Sequence, residues 1–272
     1  MKRIIGLSLL VIALLTATSF TKLFSTVQSA ASAPSVTPAK LTGIANVRGK
    51  LTRLNFEDSL RSLYHSIGLA KSGMDYHVFR YGMIGYYSLK QQGKLSERNI
   101  VSFIDFSKPS TEKRFYTIDL AKKMLKFHSL VSHGKNTGQN IATSFSNVPH
   151  SNQSSLGFYL TGETYVGSKG YSMRLDGIDG IYNDKMRDRA VVMHDAAYVS
   201  DHWIRKYGRL GRSQGCPALP KEISRKVIDT IRDKTLIFAY FNDEEYLANS
   251  KHLDIGKLFD GLDAIEVVTA EL

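Results

Sequence analysis

Cysteine occurs once in 272 residues, at Cys216, inside the stretch RSQGCPALP (Arg212–Pro220). A thiol attacks as its thiolate, and a free cysteine with a pKa near ~8.5 is mostly protonated at neutral pH. It therefore needs a base or a cation beside it. His194 ends the apolar run RAVVMHD (Arg189–Asp195), where a side chain emerges at a sheet edge, and it precedes Cys216 by 22 residues, room for one helix and a return to the neighbouring strand. The two together are candidates for a thiolate–imidazolium pair. Gly215 lets the chain turn sharply, and the amides of Gly215 and Cys216 are expected to face a carbonyl oxygen as it becomes negative. The bland alternatives are a buried, inert thiol and a structural histidine. No His-x-x-x-His or paired-cysteine spacing occurs, so no metal is expected, and thiol–imidazole acyl transfer needs no organic cofactor.

A lone thiol carries more meaning in an exported chain, where thiols usually pair. Met1-Lys2-Arg3 is a positive start, Ile4–Leu15 is almost unbroken apolar, and Ala31-Ser32-Ala33 fits a small-residue cleavage site. Residues 1–33 thus read as a signal peptide or N-terminal anchor, and the expected location is the periplasm or cell envelope. The net charge of +11 favours anionic partners such as an envelope surface. No Lys/Arg run exceeds three residues and no aromatic–basic interleaving occurs, which argues against nucleic acid.

The elements that must position the pair follow from pattern. Residues 34–54 read as a linker rich in Pro, Ser, Thr, Ala and Gly, and residues 55–98 as a helical segment with two apolar stripes. Residues 99–241 read as the main domain. NIVSFIDFS, KRFYTIDL and KMLKFHSLVSHG are predicted strands, with a turn at Ala121-Lys122. Leu156–Gly177 is strand-like, with turns or bulges at Gly162, Gly167 and Gly170. AAYVSDHWIRKYG has helical spacing closed by Gly208. PKEISRKVIDTIRDK is a helix and TLIFAYF a closing strand, and residues 242–272 are a C-terminal extension. Short strands with glycine turns predict a mainly β fold with flanking helices (α+β), an antiparallel sandwich or barrel.

The order His194, then Ser213-Gln214-Gly215-Cys216, then a helix and a last strand resembles the L,D-transpeptidase (YkuD) catalytic domain. The closer resemblance is to the murein L,D-transpeptidase catalytic domain family, carried by Phe145–Gly177, His194–Ser200 and GRLGRSQGCPAL (Gly208–Leu219), and it covers roughly Leu54 to Phe241. It implies a β-sandwich or barrel in which Cys216 is the nucleophile and His194 the general base and acid. It also implies that residue 195, here Asp195, orients His194 through its backbone carbonyl. The implied activity is transfer between peptidoglycan stem peptides through a thioester. The sequence departs from the common pattern at Gln214, Asp195 and Ala218. With Ala218 where a cation usually stands, Arg209 or Arg212 is the expected contact for a substrate carboxylate, beside Ser213. Asp195 is expected to raise the pKa of His194 through its own carboxylate. His133, in SHGKNTG, either lines the cleft or is a turn residue beside Gly134; Tyr159, Tyr165 and Tyr171 either shape a peptide groove or pack. Two rival functions remain open: an L,D-carboxypeptidase with water as acceptor, and a wall-binding module whose site has decayed. A sortase-like enzyme lacks its Thr-Leu-x-Thr-Cys signature here.

Overall fold

The protein is described from a computed structural model over residues 41–260, with side chains from Arg53 onward. Residues 1–33, read as a leader, the first part of the linker at 34–40, and residues 261–272 lie outside the described residues. Residues from Ala45 onward form one compact unit, which is the unit described below. Helix α1 spans Leu41–Ile67 and so begins inside the stretch expected to be a linker. Helix α2 spans Tyr76–Gln91 and is capped by Asp75, whose carboxylate accepts from His77 N–H at 2.6 Å. Among the described residues no helix is long and apolar enough to cross a membrane.

Helix α1 buries Phe56, Leu60, Leu63 and Tyr64, and α2 buries Val78, Phe79, Met83, Ile84, Tyr86 and Leu89. Each helix carries one apolar stripe: α2 lays its stripe on β1 and β8, and α1 packs Phe56 and Tyr64 against Tyr87 and Phe79 of α2. Two glycines let α2 approach closely. A Cβ on Gly82 would lie 2.2 Å from the Phe103 ring, and one on Gly85 would lie 2.1 Å from the Phe158 ring. The helical segment 55–92, of unknown role in the sequence, therefore forms the cover of the sheet's core.

Eight strands follow: β1 Ile100–Asp105, β2 Phe115–Asp119, β3 Met124–Ser129, β4 Gly157–Gly167, β5 Gly170–Gly177, β6 Val192–Asp195, β7 Ala218–Leu219 and β8 Leu236–Tyr240. They make one sheet in the order β3-β2-β1-β8-β4-β5-β6-β7. Beyond β3, Ser132 N–H donates to Ala218 O at 2.9 Å and Gly134 bridges Ser213. The two ends of the sheet thus meet, and the fold is a nearly closed barrel-like sheet with flanking helices. The predicted strands all form, including a bulge between Thr161 and Thr164, around Gly162.

Two pairings depart from the antiparallel expectation: β1 with β8 and β6 with β7 are parallel. Parallel neighbours need a crossover connection. Helix α3 (Asp201–Tyr207) provides it between β6 and β7, and helix α4 (Lys221–Ile231) lies just before β8. Helix α3 is capped by Ser200, which accepts from Trp203 N–H at 3.3 Å, and ends on Gly208 at φ 69°. That crossover returns the cysteine turn to the flank of β6.

The C-terminal extension packs back on the sheet through α5 (Glu244–Asn249) and α6 (Ile255–Asp260). Its anchor is the buried carboxylate of Asp179. It accepts from Phe158 N–H, Tyr246 O–H and Ser250 O–H, each at 2.8 Å. Phe259 meets Phe56 edge-on at 5.5 Å.

Candidate active site

The parallel register of β6 and β7 sets His194 opposite Ala218. Cys216, two residues before Ala218, therefore lies beside Val192, two residues before His194. The half-buried Cys216 bears this out: Val192 N–H donates to Sγ at 3.4 Å, and the thiol points to Ala190 O at 3.9 Å. Thiol and imidazole thus stand on neighbouring strands. Sγ uses its hydrogen bonds on the backbone of the β6 segment rather than on the ring. Burial pushes the Cys216 thiol up; the Val192 amide, the Arg189 charge and the Lys169 charge, in that order, oppose it.

His194 is 4% exposed, and its Nδ1–H donates to Asp195 O at 2.7 Å. That bond fixes the tautomer, leaving Nε2 as the free lone pair. The acceptor of that bond is the Asp195 carbonyl that the resemblance names. The Asp195 carboxylate does push the His194 pKa up, as expected, but burial outweighs it together with the carbonyl bond, and the net shift is downward. The shifts of the thiol and the imidazole both oppose ionisation and so work against the expected ion pair.

The turn that presents Cys216 is locked from within. Ser213 O–H donates to Cys216 O at 2.6 Å, and Gly215 N–H donates to Ser213 Oγ at 3.0 Å. Ser213, expected beside a substrate carboxylate, is thus a buried loop clasp, and the Gly215 amide, expected to face an oxyanion, is already bonded. The Cys216 amide makes no bond to another residue among those described. Gly215 sits at φ 122°, and a Cβ there would lie 2.7 Å from Gln153 O, so only glycine fits. Ser154 braces the same turn: its hydroxyl donates to Gly215 O at 3.2 Å and accepts from Gly134 N–H at 3.1 Å.

His133 does not line a cleft. It is 1% exposed, its Nδ1 accepts from Arg114 Nη2 at 2.8 Å, and its Nε2–H donates to Gln139 O at 3.0 Å. Burial and the Arg114 charge hold its pKa down to about 4, so it is neutral. Its carbonyl accepts from Ser213 N–H at 2.9 Å, which makes it a support under the cysteine turn. Arg212 spends its guanidinium on Lys135 O and Gly138 O, both at 2.9 Å, and Arg209 donates to Leu210 O at 2.7 Å. Both stitch backbone together where substrate contact was expected. Tyr159 is buried with its hydroxyl on Ser155 O, while Tyr165 lies under Arg174 and Tyr171 under Arg225. They pack.

Three participants were not singled out in the sequence. Arg189 reaches four oxygens of the 146–155 loop and lies against Gly215. Ser154 braces the turn, and Tyr198, its phenol pushed up to about 12 by burial and then by the Cys216 charge, sits near the sulfur. Arg189 heads the β6 run and reads in sequence as an ordinary charged flank; its partners lie 34–43 residues away, beyond any local signal. Among the described residues no group of three or more His, Cys, Asp or Glu is placed to hold a metal ion.

Solved structures similar to this chain include an L,D-transpeptidase from Mycobacterium smegmatis, at 12% identity and TM-score 0.34, covering 53% of this chain and 59% of that one. Another is an L,D-transpeptidase from Xylanimonas cellulosilytica, at 14% identity and TM-score 0.31, covering 53% and 62%. A third is the helical cell shape determining protein Pgp2 from Campylobacter jejuni, at 14% identity and TM-score 0.35, covering 65% and 63%. The chain thus spans about three fifths of the length of these proteins. Curated proteins give no match. A model described as the L,D-transpeptidase catalytic domain matches residues 70–240, from just after α1 through β8 and across the whole of the cysteine turn. That match takes in more than half of the chain, and with it the chain belongs to the L,D-transpeptidase catalytic domain family.

Proposed function

We propose that this protein is an exported cysteine acyltransferase that joins peptidoglycan stem peptides through a thioester, with residues 1–33 as its export signal. The observation that carries the reading is the β6–β7 pair, which sets the only thiol two register positions from a buried imidazole whose Nδ1 is tied to Asp195 O. Sγ of Cys216 attacks the carbonyl of a stem diamino acid joined to a terminal D-amino acid. His194 Nε2 takes the thiol proton and passes it to the departing amine as the C–N bond breaks. The free Cys216 amide steadies the tetrahedral oxyanion. The amine of a second stem then attacks the thioester, gives its proton to His194 and releases the thiol. The basic chain suits an anionic envelope.

Replacing the sulfur is the direct test. Cys216→Ala is expected to abolish the covalent mass adduct that the wild-type protein forms with a tetrapeptide stem or a carbapenem-type acylating probe. Equal labelling of the alanine variant sinks the proposal. One observation favours a second reading, the non-catalytic wall-binding module: burial raises the thiol. Alkylation of Cys216 no faster than that of a denatured control would support the module. Muropeptide products separate the remaining rival, since a transpeptidase yields dimers and a carboxypeptidase trimmed monomers.

A further inference from the structure

The acyl-transfer scheme leaves one cation at the site unused. Arg189 is half-buried, and its four hydrogen bonds all go to neutral oxygens: Ser146 O at 2.8 Å, Ser155 Oγ at 2.7 Å, Ser151 Oγ at 3.2 Å and Gln153 O at 2.6 Å. Among the described residues no carboxylate pairs with it. A buried charge is costly without a counter-charge, and burial lowers the Arg189 pKa accordingly. Any anion forming nearby would relieve that cost.

Such an anion has a place to form. A Cβ on Gly215 would lie 3.4 Å from Arg189 Nη2, so the guanidinium rests against the backbone that leads into Cys216. The next residue, Ala190, sits at φ 52°, a left-handed conformation unusual for alanine, and its carbonyl faces Sγ at 3.9 Å. Val192 N–H then donates to Sγ at 3.4 Å. The contiguous segment Arg189–Val192 therefore offers the sulfur an acceptor for its proton and a donor to the sulfur itself, with a cation against the adjoining Gly215. The other titratable groups facing the thiol are weaker or uncharged. Lys169, from the β4–β5 turn, is exposed and screened by solvent. Tyr198 keeps its proton, and burial favours the uncharged form of His194.

We propose that Arg189 is a positioning residue that stabilises the Cys216 thiolate together with the Val192 amide. On ionisation the thiol proton passes to His194 Nε2 in the acyl-transfer reaction, or to solvent base in an alkylation assay; the contact to Ala190 O is given up, and the sulfur keeps the Val192 N–H within the field of the guanidinium. Arg189 neither gains nor loses a proton. The inference rests on the reading of Cys216 as the nucleophile.

The test is the pH profile of iodoacetamide alkylation in the full chain, with thermal melts run alongside. Arg189→Gln is expected to move the inflection up by about one pH unit, making alkylation below it about tenfold slower. Arg189→Lys, which keeps the charge, is expected to restore most of the rate. A folded glutamine variant with the wild-type profile overturns the inference. Should that variant not fold, the side-chain ¹⁵N resonances of Arg189 in the wild-type protein decide. They are expected to shift with the thiol inflection and to stay fixed in Cys216→Ser; a flat response in both overturns the inference. A wild-type thiol that stays unreactive up to pH 10 removes the nucleophile reading itself, and this inference with it. A reactive thiol with an unmoved glutamine profile removes only the role of Arg189.

Discussion

Burial biases the charge states of the two residues on which the chemistry rests. His194 is shifted down and Cys216 up, and both shifts favour the uncharged forms. A neutral imidazole is the form that accepts a proton, and its lowered pKa means it is already available below pH 6.5, its ordinary value. The sign follows: acylation by a stem peptide or a carbapenem-type probe should fall only as pH drops through the depressed His194 pKa. Above it the rate should hold, or climb as the raised thiol ionises. His194→Ala is expected to slow acylation at pH 7 by about 10²–10⁴-fold and to erase that acid limb, which rapid-mixing mass spectrometry would read. A variant that keeps both the rate and the limb would remove His194 from the mechanism. The pair itself was legible in the sequence, because a single cysteine after Gly215 and a histidine closing an apolar run are local patterns. Their pKa shifts were not, because burial and the facing Val192 amide, Arg189 charge and Lys169 charge are gathered only by folding. For the same reason Ser213, Arg209 and Arg212 read in the sequence as substrate contacts: a polar side chain in a turn looks free until its carbonyl partners are known.

At the scale of elements, periodicity and turn residues located seven of the eight strands and the long helices, since both are written into short stretches of chain; the two-residue β7 is too short to carry a pattern, and α1 begins inside the stretch read as a linker. Strand partnership is not written into such stretches. Whether β6 pairs with β7 in parallel depends on α3 carrying the chain back across the sheet edge, and this pairing brings Cys216 beside Val192. The packing of α2 was likewise hidden. Gly82 and Gly85 in YGMIGYY look like weak points in a helix, yet they mark where the helix backbone meets the rings of Phe103 and Phe158. Gly85→Leu is expected to lift α2 from the sheet and to destabilise the protein by about 1–3 kcal/mol, the usual range for overpacking. Chemical denaturation would measure this. The site is expected to acylate normally well below the melting temperature, because none of its hydrogen bonds involves α2. A variant as stable as the wild type would show that α2 does not sit tightly on the core.

Across the whole molecule, distant parts of the chain close the structure. The sheet's ends meet where Ser132 bonds Ala218 and Gly134 bridges Ser213, so the seam of the barrel runs through the cysteine turn. The opposite side is closed by the C-terminal extension, which the sequence presented as an appendage because nothing near residue 246 announces a partner near residue 179. Asp179 is 5% exposed, and two of its three hydrogen bonds come from that extension, from Tyr246 and Ser250. Removing them would strand a buried carboxylate, and a group left unsatisfied costs more than the bond it loses. Tyr246→Phe is therefore expected to cost about 1–3 kcal/mol. Ending the chain after Phe241 is expected to cost more, through the lost packing of Tyr246 and Leu258 as well as both bonds. Asp179→Asn in the shortened chain should recover part of that loss, because the stranded group then carries no charge. Thermal melts of the four proteins would show the order: wild type highest, Tyr246→Phe below it, the shortened chain carrying Asp179→Asn lower, and the shortened chain that keeps Asp179 lowest. If truncation leaves the melting temperature unchanged, the extension is dispensable, and the Asp179 anchor does not hold the fold together.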